Sequence, residues 1–286
     1  MKILRTITEM RAAVREARAE GRTVGLVPTM GAFHEGHLAL MRRARAECGF
    51  VVVSLFVNPT QFNDPRDLDA YPRDEARDER LAAREGTDVL FAPTPAEVYP
   101  EGFATSVEVS AIAQPLEGAA RGTAHFRGVA TVVSKLFNMV RPDVAFFGQK
   151  DAQQALVITR LARDLDFDVR VEVCPTVRES DGLAMSSRNV RLSPEARARA
   201  TALYAALRAI AHAAAGGQRT VAELMVSGQA VLDARGIDRH DVDYLAIVDG
   251  ETLALIEQLE PGRRTLVAIA AHVGGVRLID NVVIDA

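Results

Sequence analysis

Eight consecutive residues at 50–57, Phe-Val-Val-Val-Ser-Leu-Phe-Val, contain a single polar side chain. A run this apolar, rich in β-branched and aromatic residues and without alternation, suits a parallel strand covered on both faces. Shorter runs of the same kind at 23–28, 88–91, 144–147 and 169–173 predict further core strands. Between them the period changes. Residues 9–19, 37–48, 74–84, 126–139 and 152–165 read as helices. Leu40, Met41, Ala44 and Cys48 share one face of the second, and Val129, Val132, Val133, Leu136 and Phe137 one face of the fourth. Strands alternating with helices predict an α/β fold, a Rossmann-like doubly wound parallel sheet. Right-handed crossovers then bring the strand C-termini to one edge, where such sheets bind ligands.

Past residue 187 the texture differs. Ser193, Pro194 and Glu195 form a helix start, with Ser as N-cap and Pro in the first turn. Helices are expected at 196–215 and 221–235, and strands at 242–248, 265–272 and 276–283. Gly274 and Gly275 lie between the last two, as the tight turn of a hairpin. The expected organisation is therefore two domains, 1–176 and a smaller α+β domain at 177–286.

Composition mainly excludes. A chain of 286 residues with 48% hydrophobic and 25% charged residues is ordinary for a globular protein. A net charge of −4 argues against a nucleic-acid binder, although it allows a local basic pocket. The first ten residues lack the apolar core of a secretory signal, and no apolar stretch is long enough to span a bilayer. A cytoplasmic location is expected, with no membrane or nucleic-acid partner. Cys48 and Cys174 stand in no metal or redox motif, so both should be buried, reduced thiols.

Three segments carry candidate chemistry, and each follows a predicted strand or lies at the seam between domains. The first is Met30, Gly31, Ala32, Phe33, His34, Glu35, Gly36 and His37. Its His-x-Gly-His spacing falls at a helix N-terminus, where free N–H groups and the helix dipole attract phosphate. The zinc-protease helix His-Glu-x-x-His sets its histidines four apart; here they are three apart, and the match fails. The second segment is Gly148, Gln149, Lys150 and Asp151. Here Gly permits close approach, Lys supplies a point charge for phosphate, and Asp suits ribose hydroxyls. Gln153 and Gln154 follow one turn on and could read a polar substrate. The third is Met185, Ser186, Ser187 and Arg188, two hydroxyls and a guanidinium suited to clamping phosphate oxygens. Asn58 and Gln61 follow the 50–57 strand and offer neutral amides to a carboxylate or hydroxyls. The acidic helix at 74–84 offers Asp78 as a carboxylate for Mg²⁺.

The His-x-Gly-His element after a first strand resembles the nucleotidyltransferase superfamily. The longer string Pro-Thr-Met-Gly-Ala-Phe-His-Glu-Gly-His, residues 28–37, resembles the pantothenate synthetase (pantoate–β-alanine ligase) family within it. The resemblance covers nearly the whole chain. It implies that pantoate and ATP form pantoyl adenylate and pyrophosphate, and that β-alanine then displaces AMP. It places residues 30–37 and 148–151, Val177 and residues 185–188 at ATP, and Gln61 and Gln154 at pantoate. His37 would donate to the leaving pyrophosphate beside His34, with Lys150, Ser187 and Arg188 also catalytic and Asp78 associated with Mg²⁺. It also implies a homodimer and a closing second domain. Where this family carries Arg-Pro-Gly-His-Phe, the chain has Arg121-Gly122-Thr123-Ala124-His125-Phe126, one residue longer and without Pro, so Arg121 and His125 are not counted among the site residues. The alternatives are an adenylyltransferase acting on another small acid or phosphate, and a non-catalytic ATP-binding regulator. Neither domain offers an evident general base for the amine step.

Overall fold

The computed structural model describes residues 1–63 and 65–285. Its contacts divide the chain into two compact units, Met1–Gln149 with Gln153–Pro175, and Lys150–Ala152 with Thr176–Ala286.

The first unit runs β1 (Lys2–Leu4), α1 (Ile7–Ala19), β2 (Val24–Thr29), α2 (Glu35–Glu47), β3 (Phe50–Leu55), α3 (Pro65–Asp69), α4 (Glu75–Arg84) and β4 (Val89–Phe91). It continues through α5 (Pro95–Val98), α6 (Glu117–Arg121), α7 (Thr123–Val140), β5 (Val144–Gly148), α8 (Ala152–Asp164) and β6 (Arg170–Cys174). The six strands are parallel, in the order β1-β4-β3-β2-β5-β6. Alternate side chains of each strand enter opposite cores. Val52 joins α1, α7 and α8 on one face, while its neighbours Val51 and Val53 join α2 and α4 on the other. This two-sided burial is why the strands read as unbroken apolar runs.

The sheet order fixes where a ligand can enter. From β2 the chain winds one way through β3 and β4, then crosses back to place β5 on the other side of β2. β2 pairs with β3 along its full length but with β5 only at Gly25↔Val144 and Leu26↔Ala145. Pro28, which has no N–H to give, falls where the β5 pairing has already stopped. The C-terminal ends of β2 and β5 therefore part, and this switch-point crevice is the usual ligand position in such sheets.

Some boundaries differ from the sequence pattern. β1 was not expected, because three residues carry no measurable period; it pairs with β4 at the sheet edge. α1 starts two residues earlier than expected. Thr6 and Glu9 close a capping box there, the Glu9 N–H donating to Thr6 Oγ1 at 3.2 Å and the Thr6 N–H to Glu9 at 3.1 Å. α2 starts at Glu35, with His34 as its N-cap.

The second unit holds α9 (Pro194–Ala215), α10 (Val221–Ala234) and an antiparallel sheet of β7 (Val242–Asp249), β8 (Arg264–Val273) and β9 (Val276–Asp285), in that order. Leu203, Leu207 and Ile210 of α9 pack with Val267 and Ile269 of β8 in its core. Gly274 and Gly275 both have positive φ, 57° and 76°, as the two-residue hairpin turn requires. Among the described residues no helix is long and apolar enough to cross a membrane.

Cys48 and Cys174 are both buried. Burial pushes the Cys48 thiol up and that of Cys174 up to about 11. The thiolate is the reactive form. Iodoacetamide at pH 8 should therefore leave both native thiols intact and label both in guanidinium; rapid native labelling would contradict this burial.

Candidate active site

In the first unit the site grows from the turn between β2 and α2. Gly31 and Ala32 both take positive φ, 90° and 54°. A side chain at Gly31 would strike Leu55 Cδ1 at 2.6 Å and Asp78 Oδ2 at 2.9 Å. The turn then delivers Phe33 into the core and His34 to the helix cap.

The histidine spacing has a local structural reason. The Gly36 N–H donates to His34 Nδ1 at 3.1 Å, and the His34 N–H donates to His37 Nδ1 at 3.3 Å. These are the N-cap and N3 positions of α2, so His-x-Gly-His acts as a capping box with imidazoles in place of Ser and Glu. The rings lie 4.2 Å apart, centroid to centroid. Because each Nδ1 accepts a backbone N–H, the proton of each neutral ring sits on Nε2. Two N–H donors then cluster at the positive end of a helix, an arrangement suited to phosphate oxygens.

Asp78 is only 1% exposed. Its Oδ2 accepts the Ala32 N–H and its Oδ1 the Phe33 N–H, both at 2.8 Å. Beside it, Arg77 Nη1 donates to the Phe33 carbonyl at 3.0 Å. Both carboxylate oxygens of the residue expected to meet Mg²⁺ thus brace the turn. Among the described residues no group of three or more His, Cys, Asp and Glu could hold a metal ion.

Asn58 is engaged in the same way. Expected to face the substrate, it is 1% exposed and its amide is spent inside the protein. Its Oδ1 accepts from Tyr99 Oη at 2.8 Å and Thr60 Oγ1 at 3.0 Å; its Nδ2 donates to Gln61 Oε1 and to the Gly128 carbonyl, each at 3.1 Å. Burial pushes the Tyr99 phenol up, which keeps it a donor. Asn58 therefore aims Gln61, whose Nε2 reaches Met30 Sδ at 2.9 Å. Gly128 lets α7 press against this turn, since a Cβ there would lie 2.4 Å from the Thr60 carbonyl. His125, left aside on sequence grounds, donates from Nδ1 to the Gln61 carbonyl at 2.9 Å. It acts on Gln61 despite the altered loop.

The adjacent glutamines separate. Gln153 is buried, donating to the Ile112 and Pro115 carbonyls and accepting the Glu117 N–H, so it staples a loop rather than reading a substrate. Gln154 is half-buried on the next helical position. Gly148 has open space where its Cβ would stand, and Gln149 follows it half-buried.

In the second unit one cavity is lined by Lys150, Ser186, Arg188, Asn189, Arg277 and Asp280. Asp151 is exposed, with Lys150 Nζ 3.6 Å from its carboxylate. Ser186 caps a 3₁₀ turn, Ser187–Arg191, by accepting the Arg188 N–H at 3.2 Å. Ser187 opens that turn half-buried and is not among the lining residues. The Met185 N–H donates to the Val177 carbonyl at 3.0 Å, which closes the loop's base.

Comparison with known proteins agrees over the whole chain. A family model described as pantoate-beta-alanine ligase matches residues 2–283. A pantothenate synthetase of Cereibacter sphaeroides (strain ATCC 17029) is 56% identical over 280 residues, covering 98% of each chain. One of Roseiflexus sp. (strain RS-1) is 51% identical over 286 residues, all of both chains. The crystal structure of pantothenate synthetase from Thermus thermophilus matches with a TM-score of 0.90 and 49% identity over 99% of each chain. The pantoate-beta-alanine ligase of Francisella tularensis, solved with beta-gamma ATP and beta-alanine, matches with a TM-score of 0.78 and 34% identity. That match covers 99% of this chain and 97% of the other.

Proposed function

The chain belongs to the pantoate–β-alanine ligase family, and we propose that it makes pantothenate through a pantoyl-adenylate intermediate with the residues above in the following roles. The pantoate carboxylate attacks the α-phosphorus of ATP; the bond to the bridging oxygen breaks and pyrophosphate leaves with the electron pair. The β-alanine amine then attacks the acyl carbon, AMP departs, and the nitrogen loses a proton.

A carboxylate is already a nucleophile, so the first step needs positioning and charge stabilisation more than a base. The observation that carries the reading is the histidine capping box at the start of α2, in which each Nδ1 accepts a backbone N–H. His37 donates to the leaving pyrophosphate and His34 to its neighbouring oxygens. Lys150, Ser186, Ser187 and Arg188 neutralise charge on the β- and γ-phosphates. The family resemblance assigns residues 30–37, 148–151, 177 and 185–188 to ATP. Gln61 and Gln154 hold pantoate, Gln61 through its amide nitrogen, since Asn58 already donates to its oxygen. Mg²⁺ fits as an ion carried on the ATP phosphates with water, which is how this cation is often bound. A homodimer and a cytoplasmic location belong to the same proposal, supported by the family resemblance.

Omission assays test the scheme. With ATP, Mg²⁺ and pantoate, pyrophosphate should appear to about one equivalent of enzyme, and AMP should turn over only after β-alanine is added. Pyrophosphate release independent of pantoate would point to an adenylyltransferase with another acceptor. ATP binding without release of any product would point to a regulator.

A further inference from the structure

We propose that Asp280 and Asn281 of β9 are positioning residues for adenylate formation, holding Lys150 and the serine–arginine loop in one register. The proposal rests on the phosphate role given to Lys150 above. The two residues form a buried polar pair within the strand, 4% and 3% exposed. Their sheet partners on β8 are apolar, Ile269 for Asp280 and Ala268 for Asn281. Burying a carboxylate and an amide costs free energy unless both are bonded, and a buried ion pair is weak support for stability alone. The strand needs neither side chain to pair. Asn281 instead holds Lys150, and Asp280 holds Arg178 at the base of the Ser186–Arg188 loop.

Asn281 Nδ2 donates to the Lys150 carbonyl at 2.9 Å. Asp280 receives the Arg178 guanidinium in a two-point fork, 2.6 and 2.9 Å, and also accepts the Asn281 N–H at 2.7 Å. Arg178 in turn donates to the Gly182 carbonyl at 3.2 Å and stacks 3.5 Å over the Tyr204 ring. Arg178 also bridges Ala184 across a short hairpin that leads directly into residues 185–188. Two consecutive residues of one strand thus fix the Lys150 backbone on one side and the base of the Ser186–Arg188 loop on the other. Burial pushes the Asp280 carboxyl up, and the charges of Arg178 and Lys150 draw it down, which places Lys150 within electrostatic reach of the pair.

Rapid-quench assays on Asn281→Ala, Lys150→Ala and the double variant test the proposal. Asn281→Ala should slow pyrophosphate release about tenfold, the scale of a modestly displaced catalytic group. It should leave the transfer of a preformed adenylate to β-alanine unchanged. Added to Lys150→Ala it should cost nothing further, because coupled residues are not additive. Should the alanine variant fold poorly, Asn281→Asp, which keeps the shape but not the amide donor, should show the same selective tenfold slowing of pyrophosphate release. Additive losses, or equal slowing of both half-reactions, overturn the proposal. If Lys150→Ala alone does not slow pyrophosphate release, the phosphate role of Lys150 is what fails.

Discussion

His37→Ala should slow pyrophosphate release by roughly 10²–10⁴-fold, the range for loss of a positioned proton donor. The substitution also removes the acceptor for the His34 N–H, which loosens the start of α2. Lost activity could then reflect a frayed cap. His37→Gln separates the two effects. Glutamine at N3 is itself a capping-box residue, so its side-chain oxygen can accept the same N–H while no ring nitrogen reaches the phosphates. Loss of the cap alone costs about 0.5–2 kcal/mol of stability. The glutamine variant should therefore melt close to the unmodified protein and still release pyrophosphate slowly. Recovery of full activity with glutamine would reduce His37 to a capping residue, and a loss under tenfold with alanine would remove it from the chemistry.

Much of this site could be read from residue order because strand-end positions and local spacing are properties of sequence. The run at 50–57 announced β3, and the histidine spacing announced the start of α2. What could not be read was burial. Asp78 lies in a helix crowded with Asp74, Glu75, Arg77, Glu79 and Arg80, and nothing in that string marks one carboxylate as buried. Its environment comes from the Gly31–Phe33 turn, more than 40 residues away in sequence. Asn58 follows a strand, which suggests a substrate contact; its bonds to the Gly128 carbonyl of α7 and to Tyr99, which make it a brace, lie 70 and 41 residues away in sequence. Gln153 and Gln154 differ only by one helical step, about 100° of rotation, which sends one inward and leaves the other half-exposed. The Asp280–Asn281 pair did leave a trace, two polar residues inside an apolar strand, but its meaning depends on Arg178 and Lys150. Polar residue types thus marked the candidates, while long-range contacts decided which of them are buried as braces.

Asp78→Asn should cut the rate of adenylate formation about 10²-fold while leaving the Mg²⁺ concentration for half-maximal activity unchanged. The carboxylate accepts two backbone N–H groups with its two oxygens. An amide has one oxygen, so its NH₂ would meet a second N–H, donor against donor. Hydrogen bonds to a buried charge contribute about 1.5–3 kcal/mol each, and an orphaned buried N–H costs about 1–3 kcal/mol. Ala32 holds a positive φ that a non-glycine residue rarely adopts, and its N–H bond to Asp78 helps to keep it there. Once released, it would shift the His34 cap, and a displacement near 1 Å is enough for a loss of this size. A metal ligand would behave differently. Its loss would be relieved by more Mg²⁺ and would leave the affinity for metal-free ATP untouched. The turn brace predicts the opposite: titration of ATP in EDTA should show weaker binding to Asp78→Asn, and added Mg²⁺ should restore nothing. Equal affinity for metal-free ATP, together with rescue by Mg²⁺, would return Asp78 to the metal and leave the turn to the Arg77–Phe33 contact alone.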